Sequence, residues 1–571
     1  MQKQFKYIVV SVFMVLISNI ITAQEDETIG TEVVVVKPYT PTISDAFKVK
    51  DNPSIDDDST LVKQELEYQI NSIPVASTFT PAKGKAAGVE KAEPVTLFDN
   101  YASFAAGNYT SILAELYTNL KINNTDTFNA NITHHSSQGG IDTVLLDDKF
   151  YNTDLNLGFT RKDRDYSFGI DAGFTHQNYN WYGSTQALTD EERMNIDASH
   201  TFLTGRIGGS YTMEDSFFKG VNLNYIRFWD DYDSAENRVI LSPTFEFPVN
   251  EQNIMLTGIV DYLGGSFERN YFTNDAINYG ILKTGVQPSL QILKDDLTVS
   301  FGALFVYASN TEISDSEFYI YPKINASYRL VEEIMTVYGG VEGDLNQNSY
   351  HDLAQQNLFV SPTLGLIPTH NQYDVFLGLK GKFTNTISYN VKGSYRNDEN
   401  RALFVLNPVN DVLTSEENYQ KASSFGVVYD DVTTFGFSGE LNVDVSSKAR
   451  VGVRGNYFSY STDTQDKAWH LPELRASVFG DFKFSDKWYG GVNIFFTGER
   501  DAFIDNALGR TEVTLDAFFD ANIHVGYRIT DRLSAFARLN NIASQDYQPW
   551  VSYPVQTFQF LGGLNYKFDF K

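Results

Sequence analysis

The stretch "FQFLGGLNYKFDFK", residues 558–571, alternates two kinds of side chain. The more apolar of its two rows consists of Phe558, Phe560, Gly562, Leu564, Tyr566, Phe568 and Phe570. A period of two places successive side chains on opposite faces of a β-strand. The stretch therefore predicts a strand with one apolar and one polar face, and the fold depends on which of these faces meets the core.

A similar alternation of apolar and polar side chains recurs from about residue 98 to the end of the chain. Examples are "DLTVSFGALFVYAS" at 296–309 and "EVTLDAFFDANIHVGYRI" at 512–529, which we read as single long strands. Strands of soluble proteins are usually about 5–6 residues long, and a soluble sandwich has no place for so many charged second faces. A transmembrane barrel needs this pattern, with the apolar row facing lipid and the polar row facing a wet lumen. We therefore predict an all-β, transmembrane antiparallel barrel.

Short polar turns give the number of strands. Ten of them recur, at Asn124-Thr125, 162–165, Glu214-Asp215, Asn250-Glu251, Asp295-Asp296, Glu332-Glu333, Thr384-Asn385, 446–448, Ser485-Asp486 and Thr530-Asp531. Longer polar connections lie between them. Short periplasmic turns and long extracellular loops are typical of outer-membrane barrels, whose strand number is even. If both chain ends face the periplasm, ten turns predict about 22 strands, within a range of about 18–24.

The tryptophans are expected to mark the two membrane interfaces, where aromatic rings concentrate. Trp488 follows a short turn, whereas Trp181, Trp229, Trp469 and Trp550 lie at or near long connections. This distribution predicts one interfacial girdle at each end of the barrel.

The composition excludes several classes of function. The net charge is −28, which argues against a nucleic-acid partner because phosphates require clustered lysine and arginine. The chain has no cysteine, and its histidines lack the spacing of metal ligands. The acidic stretch at 51–60 lacks the spacing of a calcium loop. We predict no metal site and no cofactor.

The first 23 residues have the pattern of a signal peptide. Lys3 and Lys6 precede an apolar run, and Ala23 supplies a small residue for cleavage, so Gln24 is the expected mature start. The predicted organisation is a signal peptide at 1–23, an extended N-terminal segment at 24–97 and a barrel at 98–571. The predicted location is the outer membrane of a Gram-negative cell.

Three further stretches resemble one receptor family. "RLSAFARLNNIASQDYQPWVSYPVQTFQFLGGLNYKF", at 532–568, resembles the closing strands of TonB-dependent receptors. "GNYTSILAELY" at 107–117 and "HHSSQGGI" at 134–141 are similar to TonB-receptor-like barrels of the Bacteroidetes type. The resemblance implies an outer-membrane barrel engaged in uptake.

The N-terminal segment carries a second part of this resemblance. "TEVVVVKPYTPTISDAFKV", at 31–49, resembles a TonB box followed by the opening of a plug domain. It assigns the TonB-box-like residues Thr31, Glu32, Val33, Val34, Val35 and Val36. At the other end of the chain it assigns the C-terminal assembly signal Phe560, Leu564, Tyr566, Phe568 and Phe570. The implied partners are outer-membrane lipid and lipopolysaccharide, the barrel assembly machinery, TonB, and a surface lipoprotein or plug partner.

The chain departs from the family pattern in its plug. Residues 24–97 are 74 residues in number (97 − 23), and their alternating and linker-like stretches predict a truncated or missing plug. A lumen of about 22 strands must still be filled, by the N-terminal segment, by infolded loops or by another protein. Two functions follow as alternatives: an uptake receptor, or a structural or accessory barrel in a larger outer-membrane complex.

One motif raises an enzymatic alternative. His135, Ser137 and Gly139 form H-x-S-x-G, which resembles the catalytic strand of outer-membrane phospholipase, where histidine activates serine. That enzyme's barrel is far smaller, and the motif here also reads as a strand running into a turn. We predict that the protein is not an enzyme and has no catalytic residue.

Overall fold

The computed structural model describes residues 97–141, 143–183, 190–249, 252–410, 417–506 and 509–570. The chain divides into two units, 1–91 and 92–571, and all described residues belong to the second unit. Within the described residues, none of the helices is long and apolar enough to cross a membrane. The signal peptide and the TonB-box-like residues lie outside the described residues.

The described residues contain 24 strands and two short helices. The first twelve strands are β1 (Asn100–Gly107), β2 (Ile112–Lys121), β3 (Asp126–Ser137), β4 (Phe150–Lys162), β5 (Tyr166–Asn180), β6 (Ser199–Met213), β7 (Phe218–Asp230), β8 (Ala235–Val249), β9 (Gln252–Phe267), β10 (Ile277–Lys294), β11 (Leu297–Asn310) and β12 (Asp315–Val331). The other twelve are β13 (Met335–Asn346), β14 (Thr369–Thr384), β15 (Ile387–Leu406), β16 (Phe425–Ser446), β17 (Ala449–Thr462), β18 (Leu474–Lys483), β19 (Trp488–Thr497), β20 (Arg500–Asn506), β21 (Gly509–Leu515), β22 (Phe518–Arg528), β23 (Leu533–Asn540) and β24 (Gln559–Phe568). The helices are α1 (Asp190–Asn195) and α2 (Tyr350–Gln356).

Twenty-two of these strands form one closed antiparallel sheet. Each strand pairs with its neighbour in the chain, except that β19 pairs with β22 and leaves β20 and β21 as a separate hairpin. β24 closes the ring against β1, in a register that runs from Asn100↔Phe568 to Gly107↔Leu561. The predicted fold class and strand number are confirmed.

The two ends of the barrel differ in their connections. Each of the ten predicted short turns falls between consecutive strands of the ring, for example between β2 and β3 and between β22 and β23. Residues 250–251, between β8 and β9, lie outside the described residues. We call this end the short-turn end. The opposite end, which carries the longer connections, is the long-loop end.

The apolar rows point outward. Along the closing seam, the exposed Phe104 pairs with the exposed Leu564, and both side chains face away from the lumen. Exposed apolar side chains continue around the ring, with Ile170, Ile207, Phe301, Ile320, Leu377 and Phe437 as examples. In hydrocarbon every backbone N–H and C=O must be bonded within the protein, and a closed ring meets that condition. The Phe-rich face of the last strand is therefore the lipid face.

One strand prediction is wrong. Residues 512–529 do not form a single strand, because β21 ends at Leu515 and β22 begins at Phe518. β21 pairs with β20, from Arg500↔Leu515 to Asn506↔Gly509, and so belongs to the hairpin and not to the ring. The alternation of side chains continues from β21 into β22, so the sequence pattern alone could not reveal the break between the two strands.

Candidate functional site

The long connections pack together in one hydrophobic cluster at the long-loop end. We call this set the loop cluster. Its buried members are Trp181, Phe202, Phe228, Leu263, Phe267, Tyr271, Tyr279, Tyr350, Leu353, Ala354, Val360, Leu364, Leu366, Phe404, Leu406, Tyr419, Phe425, Ala502, Leu515, Val551 and Tyr553. Thirteen of these 21 residues lie in connections between ring strands, counting the β20–β21 hairpin, and the other eight lie on ring strands.

Contacts in the cluster span the ring. Trp181 follows β5, and Tyr419 follows β15, ten strands further along a ring of 22 strands. Their rings nevertheless lie 5.8 Å apart, and the Asn418 side-chain amide donates to the Trp181 carbonyl oxygen at 3.1 Å. With strands about 4.8 Å apart and tilted by about 40°, such a ring is about 44 Å across. Because Trp181 directly follows β5 and its N–H donates to the Ala198 carbonyl oxygen beside β6, the loop that carries Tyr419 must extend over the opening to reach it.

A third loop joins this contact. Tyr553, in the connection between β23 and β24, stacks on Phe359 with ring centroids 3.6 Å apart and meets the Tyr182 ring at 5.0 Å. Its hydroxyl donates to the Ser423 carbonyl oxygen. The Tyr182 hydroxyl donates to the Pro554 carbonyl oxygen at 2.8 Å. The loops that follow β5, β13, β15 and β23 thus converge over the mouth of the barrel.

Burial of aromatic rings holds the cluster, and hydrogen bonds fix its geometry. Tyr350 and Phe425 are fully buried, and Trp181 and Tyr553 are nearly so. Burying one large apolar side chain contributes about 1.5–3 kcal/mol, whereas one hydrogen bond contributes about 1 kcal/mol net. This arrangement is suited to closing the mouth and to recognising a ligand, because it consists of aromatic surface with a few polar groups in fixed positions.

Helix α2 lies in the connection after β13 and is anchored to β8, five strands away around the ring. Ser349 caps the helix by accepting the Asp352 N–H at 2.9 Å. Glu236, on β8, is 2% exposed and accepts the backbone N–H of Tyr350 at 2.7 Å and of His351 at 3.2 Å. The Ser349-x-x-Asp352 spacing, a helix-start signal, could have revealed this helix in the sequence.

A buried polar network surrounds this anchor. The Tyr350 hydroxyl donates to Asp230 Oδ2 at 2.7 Å, and burial raises the pKa of Tyr350, which keeps it a neutral donor. Arg238 holds Asp261 in a two-bond pair, at 2.9 and 2.8 Å, and also contacts Asp352 Oδ2 at 2.9 Å. Each of these charges has an opposite charge or several donors, as burial requires.

We expect Glu236→Leu to release helix α2 from the wall. The change leaves the N–H groups of Tyr350 and His351 and the Tyr279 hydroxyl without their acceptor, and each orphaned group costs about 1–3 kcal/mol. Protease cleavage within residues 347–368 of the purified protein should accelerate about 100-fold. The matched control is Glu246→Leu, which removes a carboxylate at the short-turn end and should leave that cleavage unchanged. Equal cleavage rates in the two variants would refute the anchor.

A buried arginine and a buried histidine lie side by side at the edge of the cluster. Arg500, the first residue of β20, is buried, with its guanidinium 5.0 Å from the centre of the Phe518 ring. His470, in the connection between β17 and β18, is also buried, with its ring 5.1 Å from Trp550 and 5.5 Å from Phe425. Burial, with the charge of Arg500, lowers the pKa of His470 to about 3, so His470 is neutral at physiological pH. Sequence reasoning missed both residues, because neither belongs to a motif.

The tryptophan prediction is partly wrong. Trp488 is exposed beside a short turn, and Trp229 is half-buried near the long-loop end, as expected of interfacial residues. Trp181 and Trp469 are almost completely buried, and Trp550 packs against the loop cluster. These three rings fill a protein interior formed by the loops, and they cannot belong to a lipid-facing girdle.

The H-x-S-x-G motif does not assemble a catalytic pair. Ser137 is fully buried and accepts a hydrogen bond from the Gln556 side chain at 2.7 Å. His135 packs edge-on against Phe150, and the histidine that meets a serine is His134, with Nε2 3.1 Å from Ser136 Oγ. The described residues also contain no group of three or more His, Asp or Glu placed to hold a metal ion.

The predicted assembly-signal residues lie at the closing seam. Phe560, Leu564, Tyr566 and Phe568 share the outward face of β24, and Phe570 follows two residues beyond its end. The rings of Tyr566 and Phe568 stack with centroids 5.9 Å apart, and the rings of Phe568 and Phe570 meet edge to face at 5.4 Å. Their role in assembly stays a prediction.

Comparisons with solved structures show the same fold. The chain is similar to the ferripyoverdine receptor of the outer membrane of Pseudomonas aeruginosa bound to ferripyoverdine, with a TM-score of 0.62 and 14% identity over 84% of this chain and 73% of that one. It is similar to the ferric-catecholate import receptor Fiu from E. coli K12, with a TM-score of 0.62 and 12% identity over 82% of each chain. The FrpB iron transporter from Neisseria meningitidis gives a TM-score of 0.62 and 11% identity over 82% of each chain.

Comparison with curated protein sequences finds no match. The family model "TonB dependent receptor-like, beta-barrel" matches residues 85–542, which is most of the chain. Members of this family lie in the outer membrane of Gram-negative cells and are not enzymes, which confirms the predicted location and the absence of catalysis. The closed ring of 22 strands, the loops folded over its mouth and the family match agree: the chain belongs to the family of TonB-dependent receptor-like β-barrels.

Proposed function

We propose that this protein is an uptake receptor whose extracellular mouth is closed by the loop cluster and opens to admit a ligand. The observation that supports this most directly is the contact of Tyr419, in the loop after β15, with Trp181 at the end of β5, ten strands away around the ring. A barrel that served only as a scaffold would gain nothing from recognition surface at this position. The N-terminal segment, infolded loops and another protein are the three candidates to fill the lumen. We assign the extracellular end to the infolded loops.

The solved relatives fit this proposal. Three of them are a ferripyoverdine receptor, a ferric-catecholate import receptor and an iron transporter. At 11–14% identity they share a fold with this chain, and their ligands are their own. For this chain we propose only the class of process, which is import across the outer membrane.

We further propose that TonB drives opening by gripping residues 33–36. An extended run of valines can add as a strand to the sheet edge of a partner. A photo-crosslinking residue in place of Val34 should capture TonB in intact cells, and deletion of residues 33–36 should abolish uptake. The control is deletion of residues 81–84, four residues of the same N-terminal segment, which should preserve both. Loss of uptake in the control alone would contradict the assignment.

The accessory-barrel alternative predicts different behaviour. An accessory barrel plugged by a fixed partner would co-purify with that partner in detergent and would conduct only after the partner is removed. Our proposal predicts that the mature protein purifies without a stoichiometric partner, and that removal of residues 24–97 still leaves a mouth closed by loops. Planar-bilayer recordings before and after loosening of the loop cluster by Glu236→Leu distinguish the two, since only the receptor should show new openings.

A further inference from the structure

The guanidinium group of Arg500 is a buried positive charge that has no counter-charge among the described residues. Its side chain is 5% exposed. One terminal nitrogen donates to the Pro549 carbonyl oxygen at 2.9 Å, the other to the Asp516 carbonyl oxygen at 3.4 Å, and Nε has no partner. No carboxylate of the described residues forms an ion pair with it. Backbone carbonyl groups carry partial charges only, so the cation is incompletely compensated.

A second buried cation, Lys283, has a carboxylate partner. Among the described lysines and arginines, only Lys283 and Arg500 are buried to this degree. Lys283 Nζ lies 2.7 Å from Asp344 Oδ1 and 2.7 Å from the Leu345 carbonyl oxygen. The fold therefore supplies a carboxylate to Lys283 on the barrel wall and none to Arg500 at the mouth.

His470 presents further unpartnered polar atoms to the same region. It is 6% exposed, and in the part of the chain that the structure describes neither of its ring nitrogens has a hydrogen-bond partner. Its ring contacts Trp550, and Arg500 donates to the adjacent Pro549, so both side chains lie against one short piece of the same loop. Buried polar atoms are normally satisfied, and two unsatisfied residues at one place indicate a missing partner.

The chemistry of these groups fits an oxyanion. A guanidinium presents parallel N–H donors that match the two oxygens of a carboxylate or phosphate, and a neutral imidazole adds one N–H. The aromatic rings of Phe518 and Trp550 exclude water and so strengthen such a contact.

We propose that Arg500 and His470 form a binding site for a carboxylate or phosphate group of the imported ligand, which reaches them when the loops part. The biological role of the site rests on the proposed uptake function, whereas its affinity for an oxyanion does not. In the closed mouth the charge of Arg500 is uncompensated, and the bound anion compensates it. The anion therefore favours the open arrangement over the closed one.

Calorimetric titration of the full mature chain in detergent tests the site. Citrate and inorganic phosphate are the two probes, each titrated at constant ionic strength in chloride buffer. We expect the wild type to bind at least one of them. Binding of citrate alone identifies a carboxylate ligand, and binding of phosphate alone identifies a phosphate ligand. Absence of binding by both probes overturns the proposal.

Four variants assign the binding to these residues. Arg500→Met should weaken binding about tenfold to 100-fold, because it removes the charge-assisted hydrogen bonds. Arg500→Lys should weaken it less, and His470→Phe, which keeps the ring packing, should also weaken it. The control is Arg454→Met, a lumen arginine that is paired with Glu440 at 2.8 Å, and it should bind as the wild type does.

Heat-dependent mobility in gel electrophoresis confirms that each variant is folded. If Arg500→Met fails to fold, Arg500→Lys and His470→Phe carry the test. Folded Arg500 and His470 variants that bind like the wild type refute the site. If the wild type binds but cross-linking of the loops leaves conductance unchanged, the uptake function fails while the anion site stands.

Discussion

Gly563→Val should prevent the barrel from closing. Gly563 lies on β24 between Ala105 of β1 and Phe536 of β23. A Cβ at this position would meet the Phe104 carbonyl oxygen, and it would lie 2.6 Å from Ala105 Cβ and 2.7 Å from the Phe536 ring. The backbone atom cannot yield without opening the seam. We expect the ratio of folded to unfolded protein after refolding into micelles to fall about fivefold to 150-fold, since such overpacking costs about 1–3 kcal/mol.

The reason for so large an effect is the membrane. The β1–β24 seam pairs eight residues of each strand, and an open seam would leave their backbone groups unbonded. In hydrocarbon each such group costs several kcal/mol. A local clash at the seam therefore affects the whole ring.

The adjacent glycine is the matched control. A Cβ on Gly562 would lie 3.4 Å from the Phe560 ring, which is ordinary contact, and it would face lipid. Gly562→Val should therefore refold to nearly the wild-type level. Heat-dependent electrophoretic mobility measures the folded fraction of both variants. Equal folding of the two would show that the seam tolerates a side chain at Gly563.

Cross-linking two loops across the mouth should hold the barrel closed. Tyr182 and Phe359 belong to the loops after β5 and β13, and their ring centroids are 5.7 Å apart. The chain contains no cysteine, so Tyr182→Cys and Phe359→Cys introduce the only thiols. In a variant that lacks residues 24–97 and carries Glu236→Leu, which should conduct in planar bilayers, a bis-maleimide with a central disulfide should abolish conductance, and a reductant should restore it.

A cross-link within one loop separates closure from chemical modification. Val409 and Lys421 pair as an isolated bridge inside the connection between β15 and β16. Val409→Cys with Lys421→Cys accepts the same reagent without joining opposite walls, and its conductance should be unchanged. Conductance that survives the Tyr182–Phe359 cross-link would show that the loop cluster does not control passage.

Local patterns in the sequence specify the barrel. Each strand of the ring shows alternation with a period of two, and each short turn is a short run of polar residues. The ten turns and the 22 strands could therefore be counted without any long-range information. The lipid face of β24 followed in the same way from the row of Phe560, Leu564 and Tyr566. These features depend on neighbours in the chain and on the solvent that each face meets, and both are local properties of the sequence.

The tertiary structure alone decided how the mouth is closed. Trp181, Trp469 and Trp550 have the sequence context of interfacial residues, yet they pack among loops. The contact of Trp181 with Tyr419 joins residues that are distant in the chain, and a periodic sequence pattern does not predict such a contact. Arg500 and His470 are ordinary polar residues in sequence, and their missing partners become visible only once the surrounding loops bury them. Burial is a property of the folded chain as a whole, and for that reason the candidate site could not be read from the sequence.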